Sequence, residues 1–333
     1  EFRRVLFRSK MSKIIAMLIT VSTLFLPSII QAKPISIKVA YENNPGEPLD
    51  VVMRYWADLL NKKSNGEITL ALYPSSQLGS KQDVTEQAMM GMNVITLSDV
   101  AFLADYEPDL GILFGPYLTD DPQKLFKIYE SDWFKQKNES LKKKGIHVVM
   151  NNYLYGTRQI ISKKPIRTVD DLAGLKIRVP NNVMQIKAIQ AMGATPTPMP
   201  LGEVYPALTQ GVIDGVENPI SVLQGQKLYE QARYLTMVNY LTNTSVWIGG
   251  EAFFGTLSPE QLEMIHQTGY EAGVYSQKLT LERDAEMLKT MQAAGVEVIY
   301  PDTGPFQKKA REVYSQFPEW TPGLYETIQQ QLQ

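Results

Sequence analysis

The sequence predicts an α/β protein of two lobes. Strand and helix patterns alternate in two separate series, and one later helix is too long to belong to either. In the first series, Ile35–Tyr41 (ISIKVAY) alternates apolar and polar side chains, the period of a strand. Pro48–Lys63 then carries Leu49, Val52, Met53, Trp56, Leu59 and Leu60 at helical spacing. Ile68–Tyr73 is the next strand and Pro74–Gly79 the loop after it. Ser80, with Asp83 three residues on, reads as the cap of a helix through Met90. Val94–Leu97 is a third short strand. Such alternation predicts mostly parallel pairing.

The second series begins near Gly156. Arg158–Ser162 and Lys176–Val179 read as strands, Asn182–Met192 as a helix, Thr195–Met199 as a strand and Glu203–Gln210 as a short helix. Val212–Glu217 leads into the break at Asn218-Pro219. The third feature is Ser258–Gly295, with Ser258 as N-cap, Pro259 at the first helical position and Gln261 at the third. Its apolar spacing runs to Met291, and Gly295 stops it. At about 1.5 Å per residue it is roughly 50–55 Å long, long enough to run along both lobes.

The N-terminus reads separately. Glu1–Lys10 is expected to be a non-native leader. Residues 11–32 form a secretory signal: Lys13, the apolar run Ile14–Ile30, and a small residue, Ala32. The 333 residues carry a net charge of −2; without residues 1–32, 28 basic and 34 acidic side chains remain, a net of −6. An acidic chain without basic clusters argues against a nucleic-acid partner. Zero cysteines excludes disulfides, thiolate metal sites and a cysteine nucleophile. Only His147 and His266 offer imidazoles: His147 reads as a strand-end residue, and His266 stands in a helix at no metal-pair spacing. No metal site, cofactor or enzyme activity is expected, and an exported binding protein is the leading class.

Several residues offer ligand chemistry. In Gly174–Pro180, Leu175, Ile177 and Val179 point to one side of a strand and Lys176 and Arg178 to the other. Pro180 ends that strand, so Arg178 stands at its carboxyl end, where open α/β sheets bind ligands. A guanidinium there grips a carboxylate with two parallel hydrogen bonds. Arg158 stands where the first series gives way to the second. Pro219 forces Asn218 away from helical geometry and leaves its amide free. Glu86, in the helix after Ser80, and Glu42, after the first strand, are acceptors for hydroxyls. Tyr155 is an aromatic wall for a sugar-like ligand. For each, a purely structural role is the alternative.

These segments resemble the solute-binding subunits of tripartite ATP-independent periplasmic (TRAP) transporters, of the dicarboxylate- and sialic-acid-binding type. The likeness is carried by Leu72–Gly79 (LYPSSQLG), Tyr155–Gln159 (YGTRQ), Gly174–Pro180 (GLKIRVP), Gly193–Pro200 (GATPTPMP), Glu203-Val204-Tyr205 and Asp214–Pro219 (DGVENP). It implies a two-lobed periplasmic binding protein fold with a cleft between lobes and one long helix spanning both. Lobe I would be 33–155 plus 244–283, and lobe II 156–243 plus 284–333. The family's carboxylate-binding arginine falls on Arg178, its second arginine on Arg158 and its ligand-contacting asparagine on Asn218. Glu86 and Glu42 fall at cleft positions, and Tyr155 and Asn181 complete the expected contact set. Sialic-acid binders carry Asn at the place of Glu42 and an aromatic at that of Leu201.

The expected ligand is therefore another organic acid anion, a hexonate or hexuronate, with Glu42 and Glu86 favouring hydroxyl donors. A C4-dicarboxylate, with Arg158 taking the second acid group, is the alternative. An exported sugar-acid enzyme using Glu42 and Glu86 as acid and base is a third reading, and a ligand-binding sensor subunit a fourth. The resemblance further implies a periplasmic location, membrane permease subunits as partners and, in this reading, a monomer.

Overall fold

The computed structural model describes residues 34–333; the leader and signal segments expected over residues 1–32 lie outside them. The strands are β1 (Ile35–Ala40), β2 (Ile68–Tyr73), β3 (Val94–Asp99), β4 (Ile146–Ser162), β5 (Lys176–Val179), β6 (Thr195–Pro198), β7 (Gly215–Pro219), β8 (Tyr234–Gly250) and β9 (Glu297–Ile299). They form one sheet in the order β2-β1-β3-β8-β4-β7-β5-β6, with β9 beside β8. Two parallel wings, β2-β1-β3 and β7-β5-β6, flank an antiparallel centre made by β4 and β8, each 17 residues long.

The expectation of mostly parallel pairing holds in the wings and for β8 with β9, while β4 and β8 pair antiparallel with each other and with the adjoining wing strands β7 and β3. The expected strand Arg158–Ser162 is the end of β4, and the sequence pattern gives no strand over 234–250. Both faces of β4 and β8 are buried, so neither shows the alternation that marks a half-buried strand. Asn218-Pro219 is the end of β7 rather than a break after it, and Pro219 pairs opposite Arg158 at the strand's last position.

The hydrophobic core follows the sheet's two faces. Val148, Leu154, Ile160, Val246 and Ile248 pack on one side, and Val149, Met150, Tyr153, Ile161 and Trp247 on the other. The second layer runs through both wings, from Ile37, Leu70 and Leu97 to Val216. The first reaches the β7-β5-β6 wing at Ile177 and Val179, and a small separate cluster of Ala40, Val84, Ala88 and Val94 covers the other wing. The core therefore holds the wings to the central strands and leaves their carboxyl ends to line the cleft.

The long helix spans Pro259–Ala293, 35 residues, with the Ser258–Gln261 capping box predicted from sequence. Where it crosses β4, the ladder between β4 and β8 is irregular from Met150 to Gly156. Helix side chains replace the lost partners. Ser276 Oγ accepts from Leu154 N at 3.0 Å, Thr280 Oγ1 donates to Leu154 O at 3.2 Å, and Gln277 Nε2 donates to Asn152 O at 3.1 Å. This needs close approach, and Gly273 allows it: a Cβ there would stand 1.9 Å from Asn152 Oδ1.

The two histidines, unrelated in sequence, meet beside this helix. Their Nε2 atoms lie 3.1 Å apart; His147 Nδ1 faces Glu251 at 2.7 Å, and His266 Nδ1 donates to Val149 O at 2.9 Å. Among the described residues no helix is long and apolar enough to cross a membrane.

Gly273→Ala should lower the urea-unfolding free energy by about 1–3 kcal/mol, the usual cost of overpacking. Val274→Ala, at an exposed neighbouring position, should change it by less than about 0.5 kcal/mol. Equal stability of the two variants would contradict the close-packing account.

Candidate functional site

The carboxyl ends of the parallel strands converge on one cleft, the place where open α/β sheets take ligands. Glu42 follows β1, Ser80, Lys81 and Gln82 follow β2, and Phe102 follows β3. Across the cleft stand Arg178, Pro180 and Asn181 at the end of β5 and Pro198, Met199 and Pro200 at the end of β6. The cavity of about 170 Å³ equals roughly six waters at about 30 Å³ each, which suits a small metabolite. An inner recess continues it between Glu42, Lys81, Tyr155, Arg158, Arg178, Leu201 and Asn218. A larger hollow of about 500 Å³ near Tyr117, Asn239 and Gln333 has basic groups only at Lys124 and Arg311, neither of them buried.

The two arginines are both buried but differ in what they hold. Arg158 Nε and Nη2 fork onto Glu217 Oε2 and Oε1 at 2.5 and 2.8 Å, Nη2 also donates to Glu217 O at 3.1 Å, and Nη1 donates to Asn243 Oδ1 at 2.7 Å. Four of its five N–H groups are spent. Burial works against the charge, yet the Glu217 carboxylate holds the Arg158 pKa above its ordinary value. Arg178 is different: Nε and Nη2 both donate to Met199 O, at 3.0 and 2.6 Å. No carboxylate pairs with it among the described residues. Three N–H groups remain for the cavity that Arg178 lines. Burial lowers its pKa; Glu42 and Glu217 pull the other way without restoring it.

Glu217 is held in turn by Gln185 Nε2 at 2.9 Å and by the Tyr240 hydroxyl. From Arg158 the network continues to the other wing. Asn243 Nδ2 donates to Asp99 Oδ1 at 3.1 Å, and Lys81 Nζ bonds Asp99 Oδ2 at 2.9 Å. Asp99 is fully buried; burial opposes its charge, but Lys81 and Arg158 keep its pKa below the usual carboxylate value.

The other expected residues divide. Glu42 lines both parts of the cleft and, among the described residues, accepts only a long 3.4 Å bond from Leu201 N. Tyr155 walls the recess, its hydroxyl donating to Asn43 Oδ1 at 3.1 Å. Asn218 lines the recess and Asn181 the outer cavity. Glu86 is exposed on the helix Lys81–Met89 and is not among the residues lining the cleft; the first turn of that helix, at Lys81 and Gln82, lines it instead.

Sequence reasoning missed Lys81, Gln82, Phe102, Asp99 and Asn243. For Lys81 a signal existed, since it opens the capped helix that follows the loop at a strand's carboxyl end. Asp99 and Asn243 lie 144 residues apart, and no local pattern joins them. The loop Pro74–Gly79 also has a role beyond turning. Ser75 and Ser76 both take left-handed backbone, φ 54° and 57°, which costs roughly 1–2 kcal/mol per residue. Ser75 N to Asn43 O at 2.9 Å and Ser76 N to Tyr41 O at 3.1 Å hold them there, tying the loop that leads to Lys81 to the backbone on either side of Glu42.

A second set of contacts joins the segment after β1 to the end of the helix Ile220–Gly225. Glu47 accepts from Asn43 Nδ2 at 2.6 Å, Asn44 N at 2.8 Å and Gln226 Nε2 at 2.8 Å. Asn44 Nδ2 donates to Gly225 O at 3.4 Å. A Cβ on Gly225 would stand 2.4 Å from Glu47 Cγ. Burial pushes the Glu47 carboxyl up to about 7 despite these donors.

Residues 39–319 match the family model for bacterial extracellular solute-binding proteins, family 7. A TRAP periplasmic solute-binding protein of Ochrobacterium anthropi, solved with bound L-fuconate, is 69% identical with a TM-score of 0.90. The alignment covers 90% of this chain and 100% of that one. A second, from Actinobacillus succinogenes with bound L-galactonate, is 42% identical with a TM-score of 0.88, over 89% of this chain and 99% of its own. The sialic acid-binding periplasmic protein SiaP of Vibrio cholerae is 31% identical over 78% of this chain and 81% of its own length. The cleft at the strand ends, the two wings and the single long helix are thus those of a known two-lobed fold, and the chain belongs to family 7 of the bacterial extracellular solute-binding proteins, the binding subunits of TRAP transporters.

Proposed function

We propose that this protein captures a sugar acid with one carboxylate, of the hexonate or hexuronate class, and passes it unaltered to an ion-gradient-driven membrane permease in the periplasmic face of its transporter. The observation that carries this reading is Arg178, a buried guanidinium with three open N–H groups facing the cleft and a carbonyl, not a carboxylate, behind it. A ligand carboxylate supplies the missing counter-charge through charge-assisted hydrogen bonds. The charge of Arg158 is committed to Glu217 and that of Lys81 to Asp99. Among the described residues that line the cleft, one cation is thus left without a carboxylate partner, and Glu42 lines the same cavity. This balance favours a single acid group with hydroxyls over a C4-dicarboxylate, and the sugar acids held by the two structural relatives point the same way. Glu42 and Glu86 are not brought together, so the acid–base pair of an enzymatic reading has no geometric support.

In this reading the lobes are 33–155 with 244–283, and 156–243 with 284–333. Glu42 to Leu201, Asn44 to Gly225 and Glu47 to Gln226 are then contacts between lobes. The ligand enters an open cleft, Arg178 engages it, and these contacts complete closure about β4 and β8. The protein acts as a monomer.

Arg178→Ala should weaken sugar-acid binding by about 2–5 kcal/mol in calorimetry, while the unfolding free energy of the ligand-free protein changes by less than about 1 kcal/mol, since no ion pair is broken. Arg158→Ala should instead lower stability by about 3–5 kcal/mol, because Glu217 is left buried and unpaired. The opposite assignment of the two effects would reject this division of roles.

Glu47 makes a pH prediction. Its folded pKa, about 7, lies above the unfolded value, so between about pH 4.5 and 7 the folded form holds the extra proton and its stability falls as pH rises. Relative to Glu47→Gln, the wild type should gain stability as pH drops from 7 to 5, read from urea midpoints at several pH values. Parallel curves for the two proteins would contradict it.

A further inference from the structure

The cleft holds a second cation that the carboxylate seat does not use. Lys81 is the first residue of the helix Lys81–Met89 and lines both the outer cavity and the inner recess. The helix end itself is no anion site: Ser80 Oγ accepts from Asp83 N, and the Asp83 carboxylate accepts from Ser80 N at 2.8 Å. The side chain of Lys81 turns inward instead. Its Nζ lies 2.9 Å from Asp99 Oδ2 and 5.6 and 5.7 Å from the ring centroids of Phe102 and Tyr155. Asp99 cannot leave to meet a ligand: it is fully buried, and its Oδ1 already accepts from Ser245 Oγ at 2.7 Å and Asn243 Nδ2 at 3.1 Å. An ammonium has three N–H groups and Asp99 takes one.

We infer that Lys81, pinned and neutralised by Asp99, determines the ligand class of this cleft: it donates to hydroxyls of the bound acid and denies a seat to a second carboxylate. The inference rests on the sugar-acid reading above and extends it to the part of the ligand that Arg178 does not hold. Glu42 complements Lys81. Among the described residues its carboxylate makes only one long bond, so it accepts from hydroxyls where Lys81 donates to them. A donor and an acceptor on one wall suit neighbouring hydroxyls. Leaving such buried polar groups without partners is what makes a site reject a ligand that lacks them. The Asp99 carboxylate is the element that turns a cation into a hydroxyl reader, because the pair carries no net charge toward the cavity.

The test is calorimetry with L-galactonate and with galactarate, the six-carbon diacid, on the wild type and three variants whose melting temperatures are checked first. The wild type should bind the monoacid at least tenfold more tightly than the diacid. Lys81→Met should lose at least tenfold affinity for the monoacid, and Lys81→Gln, which keeps a neutral donor, should recover part of that loss. Asp99→Asn, which frees the charge of Lys81, should shift the monoacid-to-diacid ratio at least tenfold toward the diacid. Monoacid affinity in Lys81→Met within threefold of wild type, or an unchanged ratio in Asp99→Asn, overturns the assignment while leaving the sugar-acid reading in place. Wild-type protein that binds neither acid overturns both.

Discussion

A guanidinium buried without a carboxylate is the constraint around which this cleft is arranged. Removing a charge from water is costly unless it is paired, and among the described residues Arg178 donates only to the Met199 carbonyl. The compensation has to come from whatever enters the cleft. Arg158, just as buried, shows the alternative: its fork is filled by Glu217 and its remaining reach by Asn243. One arginine belongs to the fold and the other to the ligand, and the difference lies in their partners rather than in their burial.

The filled arginine also ties the two sides of the cleft together. Lys81, Asp99, Asn243, Arg158, Glu217 and Gln185 form one hydrogen-bonded chain from the first wing of the sheet to the second. Such a buried network is stable only when every member is satisfied. Below it, the long helix supplies Ser276, Gln277 and Thr280 to backbone groups that the irregular stretch of β4 leaves unpaired. The helix thus meets the backbone of the central strands where they are irregular, while two of their side-chain atoms, Asn152 Oδ1 and Trp247 Nε1, stay buried without a partner among the described residues.

Much of the fold is legible in the sequence where apolar and polar positions keep a regular period and Pro, Gly or a cap marks the ends. The helix Pro48–Lys63 and the strands Ile68–Tyr73 and Lys176–Val179 have the bounds read from their patterns, and the capping boxes at Ser80 and Ser258 form as expected. The central pair β4 and β8 was not legible as a whole, because burial on both faces erases periodicity. Within the cleft, the placement of Arg178 at a strand end followed from alternation and Pro180. That Arg158 is spent on Glu217, that Lys81 is held by Asp99, and that His147 meets His266 depend on strand order and on contacts between distant segments. No local spacing encodes them.

The central claim, that Arg178 completes its charge with the ligand, is tested most directly by a crystal structure of the protein with a bound hexonate. The account predicts both carboxylate oxygens within about 2.7–2.9 Å of Arg178 nitrogens, with the Arg158–Glu217 fork intact. A hexonate whose carboxylate sits on Lys81 or Arg158, with Arg178 still facing only Met199, would contradict it.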